Sequence, residues 1–187
     1  MQYFVTGATG FIGKRLVKKL LARKGSTVHF LMRESSRDKL PALLAFWGVS
    51  KARALPVWGD MTSKKLGVAA DQIKALKGQI DHAFHLAAIY DMQADEESQI
   101  KGNIDGTRHF VDFCQAIDAG HVHHVSSIAA AGLYEGVFRE DMFDEAEGLD
   151  HPYFMTKHES EKIVRKECNR RIPTAQAQPL LPPRAKS

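Results

Sequence analysis

Three glycines at three-residue intervals, Gly7, Gly10 and Gly13, lie within Thr6-Gly7-Ala8-Thr9-Gly10-Phe11-Ile12-Gly13, directly after the apolar run Tyr3-Phe4-Val5. The apolar run reads as a buried strand. The residues after the glycines read as a helix over 11–23, with Ile12, Leu16, Val17, Leu20 and Leu21 on one face and Lys14, Arg15, Lys18 and Lys19 mostly off it. A strand that turns into a helix over glycines has a physical use. Gly7 permits the tight turn, Gly10 lets a pyrophosphate approach the backbone, and Gly13 lets the helix pack against the strand. The free N–H groups at the helix start, with the positive end of its dipole, then attract the phosphates.

The same alternation continues along the chain. Gly25 is expected to close the first helix. Further strands are expected at 27–32, 53–58, 81–86 and 121–125. Between them lie a helix capped by Ser36 or Asp38 and running to Trp47, one over 69–77, and a long one over 95–118. A last helix starts near Tyr153 and runs to Cys168. Pro56 places the third strand near a sheet edge, because proline cannot donate to a ladder. Strands alternating with helices predict an α/β fold, a Rossmann-type doubly wound parallel sheet. Residues 1–169 are read as its NAD(P)-binding domain, and 170–187, rich in Pro, Ala and Gln, as a disordered tail.

Composition excludes some function classes. The net charge is +4, but Arg170, Arg171, Arg184 and Lys186 account for the whole excess, since 26 − 4 leaves 22 basic residues against 22 acidic ones. A neutral body argues against nucleic acid as a partner. No run approaches the roughly 20 apolar residues of a membrane span. Apolar residues begin at Tyr3 with no signal peptide before them, and Cys114 and Cys168 read as reduced thiols, so a cytoplasmic location is expected.

The end of the second strand decides which dinucleotide is preferred. An acidic residue there would hold a ribose 2′-hydroxyl. The sequence instead reads Leu31-Met32-Arg33-Glu34-Ser35-Ser36, and the Arg33 guanidinium suits a 2′-phosphate, with Ser35, Ser36 and Arg37 as further donors. NADP(H) is therefore expected as the preferred cofactor. NAD(H) remains open, because Glu34 is the competing residue at the same place. Asp60, followed by Met61, is placed to accept from an adenine amino group.

Tyr153-Phe154-Met155-Thr156-Lys157 supplies chemistry. Four-residue spacing on a helix puts Tyr153 and Lys157 on one face. An ammonium one turn away stabilises a phenolate and brings a tyrosine into acid–base range. Ser126 and Ser127 follow the fifth strand at the carboxyl edge, where open α/β sheets bind ligands. Ser127 is preferred over Ser126 as the donor to a substrate oxygen, the two pointing to opposite sides of an extended strand. Strand alternation also puts His121 and His123 on one face and His124 on the other. They read as strand-end histidines rather than metal ligands. Asp91, Asp95, Glu96 and Glu97 suit the first turn of a helix. Trp47, Trp58 and Phe46 read as core or groove-lining residues.

Thr6 to Gly13, His85-Leu86-Ala87-Ala88, Asn103-Ile104-Asp105-Gly106-Thr107, Val125-Ser126-Ser127 and Tyr153 to Lys157 occur in this order. Together they resemble the extended short-chain dehydrogenase/reductase family, in the branch that includes acyl-CoA and thioester reductases and sugar-nucleotide epimerases. Glu140-Asp141 also fits that branch. The resemblance implies hydride transfer at a nicotinamide, with Tyr153 as general acid or base, Lys157 as its pKa modifier and ribose clamp, and Ser127 as carbonyl positioner. It implies that Leu86, Ala87 and Ala88 line the cofactor groove and that Asn103 supports helix packing. The function it implies is reduction of a small carbonyl or acyl-thioester substrate. The alternatives are an epimerase or dehydratase that retains NAD, and a catalytically silent NADP(H)-binding module. Family members continue into further strands and a smaller substrate domain, so the change of composition at Arg170 reads as a truncation or frame change. An unprotected fifth strand would then invite pairing, which allows a homodimer.

Overall fold

The computed structural model describes residues 1–89 and 95–171, with 168–171 as backbone only. Asp91, the Cys168 side chain and the 172–187 segment lie outside the described residues. Five strands form one parallel sheet: β1 (Gln2–Thr6), β2 (Thr27–Met32), β3 (Ala54–Trp58), β4 (His82–His85) and β5 (His121–His124). Their spatial order is β3-β2-β1-β4-β5, so the chain switches direction across the sheet between β1 and β4. Ligands of such sheets bind at the carboxyl edge beside this switch point. Pro56 sits in β3 at one edge of the sheet, paired only toward Phe30 of β2.

The strands bury both faces because their side chains alternate. On one face Tyr3, Val5, Val28, Phe30 and Phe84 pack with Val17, Leu20 and Leu21 of α1 (Phe11–Leu21) and with Leu40 and Trp47 of α2 (Leu40–Trp47). On the other, Phe4, Leu31, Val57 and Ala83 pack with Leu76 of α3 (Ala70–Leu76) and with Phe110, Phe113 and Cys114 of α5 (Gly106–Ala116). Val164 of α6 (Pro152–Arg171) joins this second cluster. Two covered faces are what the continuous apolar strand runs require. Among the described residues, no helix is long and apolar enough to cross a membrane.

Several boundaries differ from the expectation. Residues Glu34–Lys39 form a 3-10 turn, and α2 begins only at Leu40, with proline in its first turn and neither Ser36 nor Asp38 as its cap. The first helix ends at Leu21, before Gly25, whose φ of +70° serves the turn into β2 instead. There Arg53 donates to the carbonyls of Leu21, Arg23 and Ser26 and closes the helix end from across the sheet. The long helix expected over 95–118 is α4 (Glu96–Gln99), a π turn over Ile100–Asp105, and α5. Asp95 caps it by accepting from the Ser98 N–H, with Glu96 and Glu97 in its first turn. The last helix carries on past residue 169 to Arg171, across the boundary expected for the domain.

Candidate active site

The glycine turn lies at the switch point. Gly7 adopts φ +71°, and a Cβ on it would come within 2.7 Å of the Ala87 nitrogen. A Cβ on Gly13 would come within 2.0 Å of the Gly7 carbonyl oxygen, so the helix can approach the turn only without a side chain there. Gly10 is different. A Cβ there would meet only the Gly7 oxygen, at 3.3 Å, and otherwise point into open space above the turn. Gly10 is also the N-cap of α1, with no side-chain cap and no acid in the first turn. The first intrahelical bond runs from Lys14 to Gly10, so the N–H groups of Phe11, Ile12 and Gly13 are left for an outside acceptor. Phe11 and Ile12 are themselves exposed, as is Thr9. A cradle of this shape fits the pyrophosphate of a dinucleotide.

Thr6 contributes from below. Its side chain is fully buried; its Oγ1 lies 2.8 Å from His85 Nδ1 and accepts from the Ala87 N–H at 3.3 Å. Leu86, Ala87 and Ala88 follow β4 at the same edge, with Leu86 packed on the α1 side and Ala88 exposed.

Beyond the ends of β2 and β3 lies a cleft of about 410 Å³ lined by Arg33, Glu34, Ser35, Trp58, Gly59, Asp60, Ser63 and Gly67. Arg33 and Glu34, the two residues at the end of β2 that bear on the choice of dinucleotide, both line it. Arg37 pairs with Glu34 at 2.5 Å and lies over the Trp58 ring at 4.2 Å. That hydrogen bond, made to one carboxylate oxygen, holds the Glu34 carboxyl below its usual range. Asp60 Oδ1 accepts from the Thr62 N–H and hydroxyl, both at 2.8 Å. These bonds, the backbone one foremost, and the charges of Arg33 and Lys101 outweigh partial burial and keep Asp60 ionised. Met61, next to it, is half-buried: its side chain packs against the core, and its carbonyl accepts from His109 at 2.9 Å.

Helix α6 carries the second part of the site. Its buried residues, among those whose side chains are described, are Tyr153, Thr156, Lys157, His158, Ser160 and Val164, and four of these six (Thr156, Lys157, His158 and Ser160) are polar or charged. Lysine is almost never fully buried without a purpose or a partner. Lys157 is 4% exposed, and its Nζ donates to the Val125 carbonyl at 3.3 Å, at the carboxyl end of β5. Burial lowers its pKa, an effect partly opposed by Glu161. Tyr153 is buried on the same face, one turn earlier. The two serines separate as an extended segment requires. Ser126 Oγ donates to Glu161 at 2.5 Å, which uses its proton. Ser127 Oγ accepts from the Ala129 N–H at 3.2 Å, which leaves its own proton to donate. Beside them, His158 donates from Nδ1 to the Ala130 carbonyl at 2.9 Å and stacks on Phe143, fixing the 128–150 loop against α6.

The histidines of β5 divide as the strand pattern predicts. His121 and His123 face His82 and Phe84, while His124 faces His85. Among the described residues no group of three or more His, Cys, Asp or Glu is placed to hold a metal ion. His85 itself was not legible as a hub. Only its neighbours in space, Thr6 and Thr107, reveal that role.

The sequence matches the model of the Male sterility protein family, an NAD-binding family, over residues 5–179. The chain belongs to this family, within the extended short-chain dehydrogenase/reductases. It is 32% identical over 184 residues to a linear gramicidin synthase of Brevibacillus parabrevis, covering 91% of this chain and 4% of that protein. A Drosophila melanogaster protein provisionally named as a fatty acyl-CoA reductase, CG8306, is 32% identical over 143 residues, covering 66% of this chain and 27% of that one. Among solved structures, the terminal R domain of the myxalamid PKS-NRPS pathway superposes with a TM-score of 0.77 at 26% identity, covering 92% of this chain and 47% of that chain. UDP-glucuronic acid 4-epimerase of Bacillus cereus, in complex with UDP-glucuronic acid and NAD, gives 0.72 at 25% identity, covering 92% and 54%. The chain thus spans about half of these solved chains and a small part of the synthase.

Proposed function

We propose that this chain is the cofactor-binding and acid–base portion of an NADP(H)-dependent reductase of acyl-thioester or carbonyl substrates. The observation that carries the reading is the buried polar stripe of α6, with Lys157 drawn to the end of β5 beside Ser127 and Tyr153 one turn away. A reduced nicotinamide, once bound, supplies the hydride to the carbonyl carbon. Ser127 donates a hydrogen bond to the carbonyl oxygen, and Tyr153 passes its phenolic proton to that oxygen as negative charge develops there. Lys157 would stabilise the phenolate left behind and would be the residue to hold the nicotinamide ribose hydroxyls. With a thioester, the resulting hemithioacetal collapses to aldehyde and free thiol.

Preference for NADP(H) rests on Arg33. With Glu34 tied to Arg37, the carboxylate that would hold a ribose 2′-hydroxyl is engaged, and Arg33 faces the same cleft as a cation. The Drosophila relative's name supports a thioester-type substrate. The likeness to an epimerase with bound NAD keeps the non-redox alternative testable. The deciding experiment follows NADPH absorbance with acyl-CoA and aldehyde substrates. Stoichiometric oxidation is expected. Tight retention of NAD with no net redox would overturn the reductase reading in favour of the epimerase one, and binding without turnover would favour the silent module.

A further inference from the structure

One hydrogen-bonded spine runs beneath the site, and every side chain in it is buried. Thr6 on β1 reaches His85 on β4 at 2.8 Å, and His85 Nε2 reaches Thr107 Oγ1 on α5 at 3.1 Å. Thr107 donates to the Asn103 carbonyl at 2.6 Å. Asn103 lies in the π turn, a geometry that frees backbone groups for other partners. Its side chain accepts from the Ile89 N–H at 2.7 Å and donates to Thr156 Oγ1 on α6 at 3.2 Å. Ser160 Oγ lies 2.9 Å from the Asn103 carbonyl. The spine therefore ties the turn after β1 to the helix face that carries Tyr153 and Lys157.

Its direction can be deduced. A carbonyl only accepts, so the Thr107 hydroxyl spends its single proton on Asn103. Toward His85 it must accept, and Nε2 must carry the ring hydrogen. A neutral imidazole has one N–H, so Nδ1 accepts from the Thr6 hydroxyl. Thr6 oxygen then takes the Ala87 N–H. Each group has a partner of the right kind. A second ring proton would reverse the Thr6 bond and take away the Nδ1 acceptor of the Thr6 hydroxyl proton. Full burial, with His124 on β5 and Lys157 on α6 as the charged or titratable neighbours, also opposes that proton. Phe110 of α5 stacks on the ring at 4.4 Å and locks its plane.

We propose that His85 is a positioning residue, held as the Nε2–H tautomer, whose two ring nitrogens set the direction of this spine and keep the glycine cradle in register with the Tyr153–Lys157 helix. This rests on the reading that the cradle binds a nicotinamide dinucleotide. The test uses the full chain labelled with ¹⁵N-histidine, the His85 signals being assigned by their loss in His85→Gln. Long-range ¹H–¹⁵N spectra of the wild type are expected to show a protonated Nε2 and a bare Nδ1, unchanged between pH 8 and 6. Thr107→Val keeps the shape but removes the acceptor. It is expected to abolish that tautomer pattern and to weaken NADPH roughly tenfold, with Thr107→Ser restoring both. A wild-type Nδ1–H tautomer overturns the proposal without any variant. So does a folded Thr107→Val that binds NADPH as tightly as wild type, because space filling alone would then suffice. A wild type with the expected tautomer and no affinity for either dinucleotide overturns the cofactor reading, and the register role with it, while leaving the spine as structure.

Discussion

Acidification from pH 7 to pH 5 should destabilise this fold, and His124 gives a term that can be isolated. Its ring nitrogens are both buried with no hydrogen-bond partner among the described residues, between His85 and the α6 face that carries Lys157. Burial first, and the Lys157 charge second, push its pKa down to about 3. In the unfolded chain it titrates near 6.5. The folded pKa is thus the depressed one for a base, so the unfolded state binds more protons at every pH between the two values. Stability is fully present above about 6.5 and is lost as pH falls toward 3. The slope is about 1.4 kcal/mol per pH unit over the 1.5 units from 6.5 to 5, which gives about 2 kcal/mol from this group. His124→Leu fills the same site without a titrating group. It should therefore reduce the pH 7-to-5 loss by about 2 kcal/mol, roughly 1 M in urea midpoint. It should also raise stability at pH 7, because it removes two unsatisfied buried nitrogens. Urea unfolding of wild type and variant at both pH values measures the difference, and carboxylate effects cancel in it. If the variant kept the wild-type pH dependence, His124 would not be buried as a neutral ring and the packing between β5 and α6 would be wrong.

Other outcomes follow from the site. Tyr153→Phe should lower turnover by a factor of about 10² to 10⁴ while leaving NADPH affinity within about twofold; full activity in steady-state assays would remove Tyr153 from the chemistry. Arg33→Ala should weaken NADPH about tenfold or more and leave NADH nearly unchanged; equal losses in fluorescence titrations would remove the phosphate assignment. Gly13→Ala puts a Cβ at 2.0 Å from the Gly7 oxygen. It should cost about 1–3 kcal/mol or more of stability and abolish dinucleotide binding; a variant with wild-type calorimetric and binding behaviour would show that the helix need not approach the turn.

What the sequence made legible was local. The turn at Gly7, the apolar face of α1, the edge placement of Pro56, the opposed faces of His123 and His124, and the Tyr153–Lys157 pair each follow from a period or from one residue's conformational demands. What it hid depends on contacts between distant positions. Ser36 and Asp38 look like helix caps, yet the chain turns tightly there instead and starts α2 at Leu40. Arg53 reads as the start of a strand, but its guanidinium serves the carbonyls at the end of α1. Periodicity over 95–118 cannot register one π turn, because an inserted residue only rotates the pattern that follows it. Arg37 reads in the sequence as a further donor to a 2′-phosphate, but it pairs with Glu34 instead, because the tight turn over Glu34–Lys39 brings the two together.

The polar stripe of α6 bears on function more directly than any motif. A helix packed on a sheet gains most from apolar side chains, yet four of the six buried residues of α6 with described side chains are polar or charged. Thr156 and Ser160 escape a desolvation penalty through the Asn103 spine, so their presence is explained by structure. Lys157 is not explained in that way. One carbonyl at 3.3 Å is a poor return for burying an ammonium, and its depressed pKa records the remaining cost. A buried ammonium with one long hydrogen bond, beside a buried tyrosine and at the carboxyl end of β5, marks a candidate functional site. On the proposed reading, the ribose of a dinucleotide cradled above Gly10 would offer hydroxyl oxygens to Lys157, and the open space at the turn and the buried ammonium would serve the same ligand.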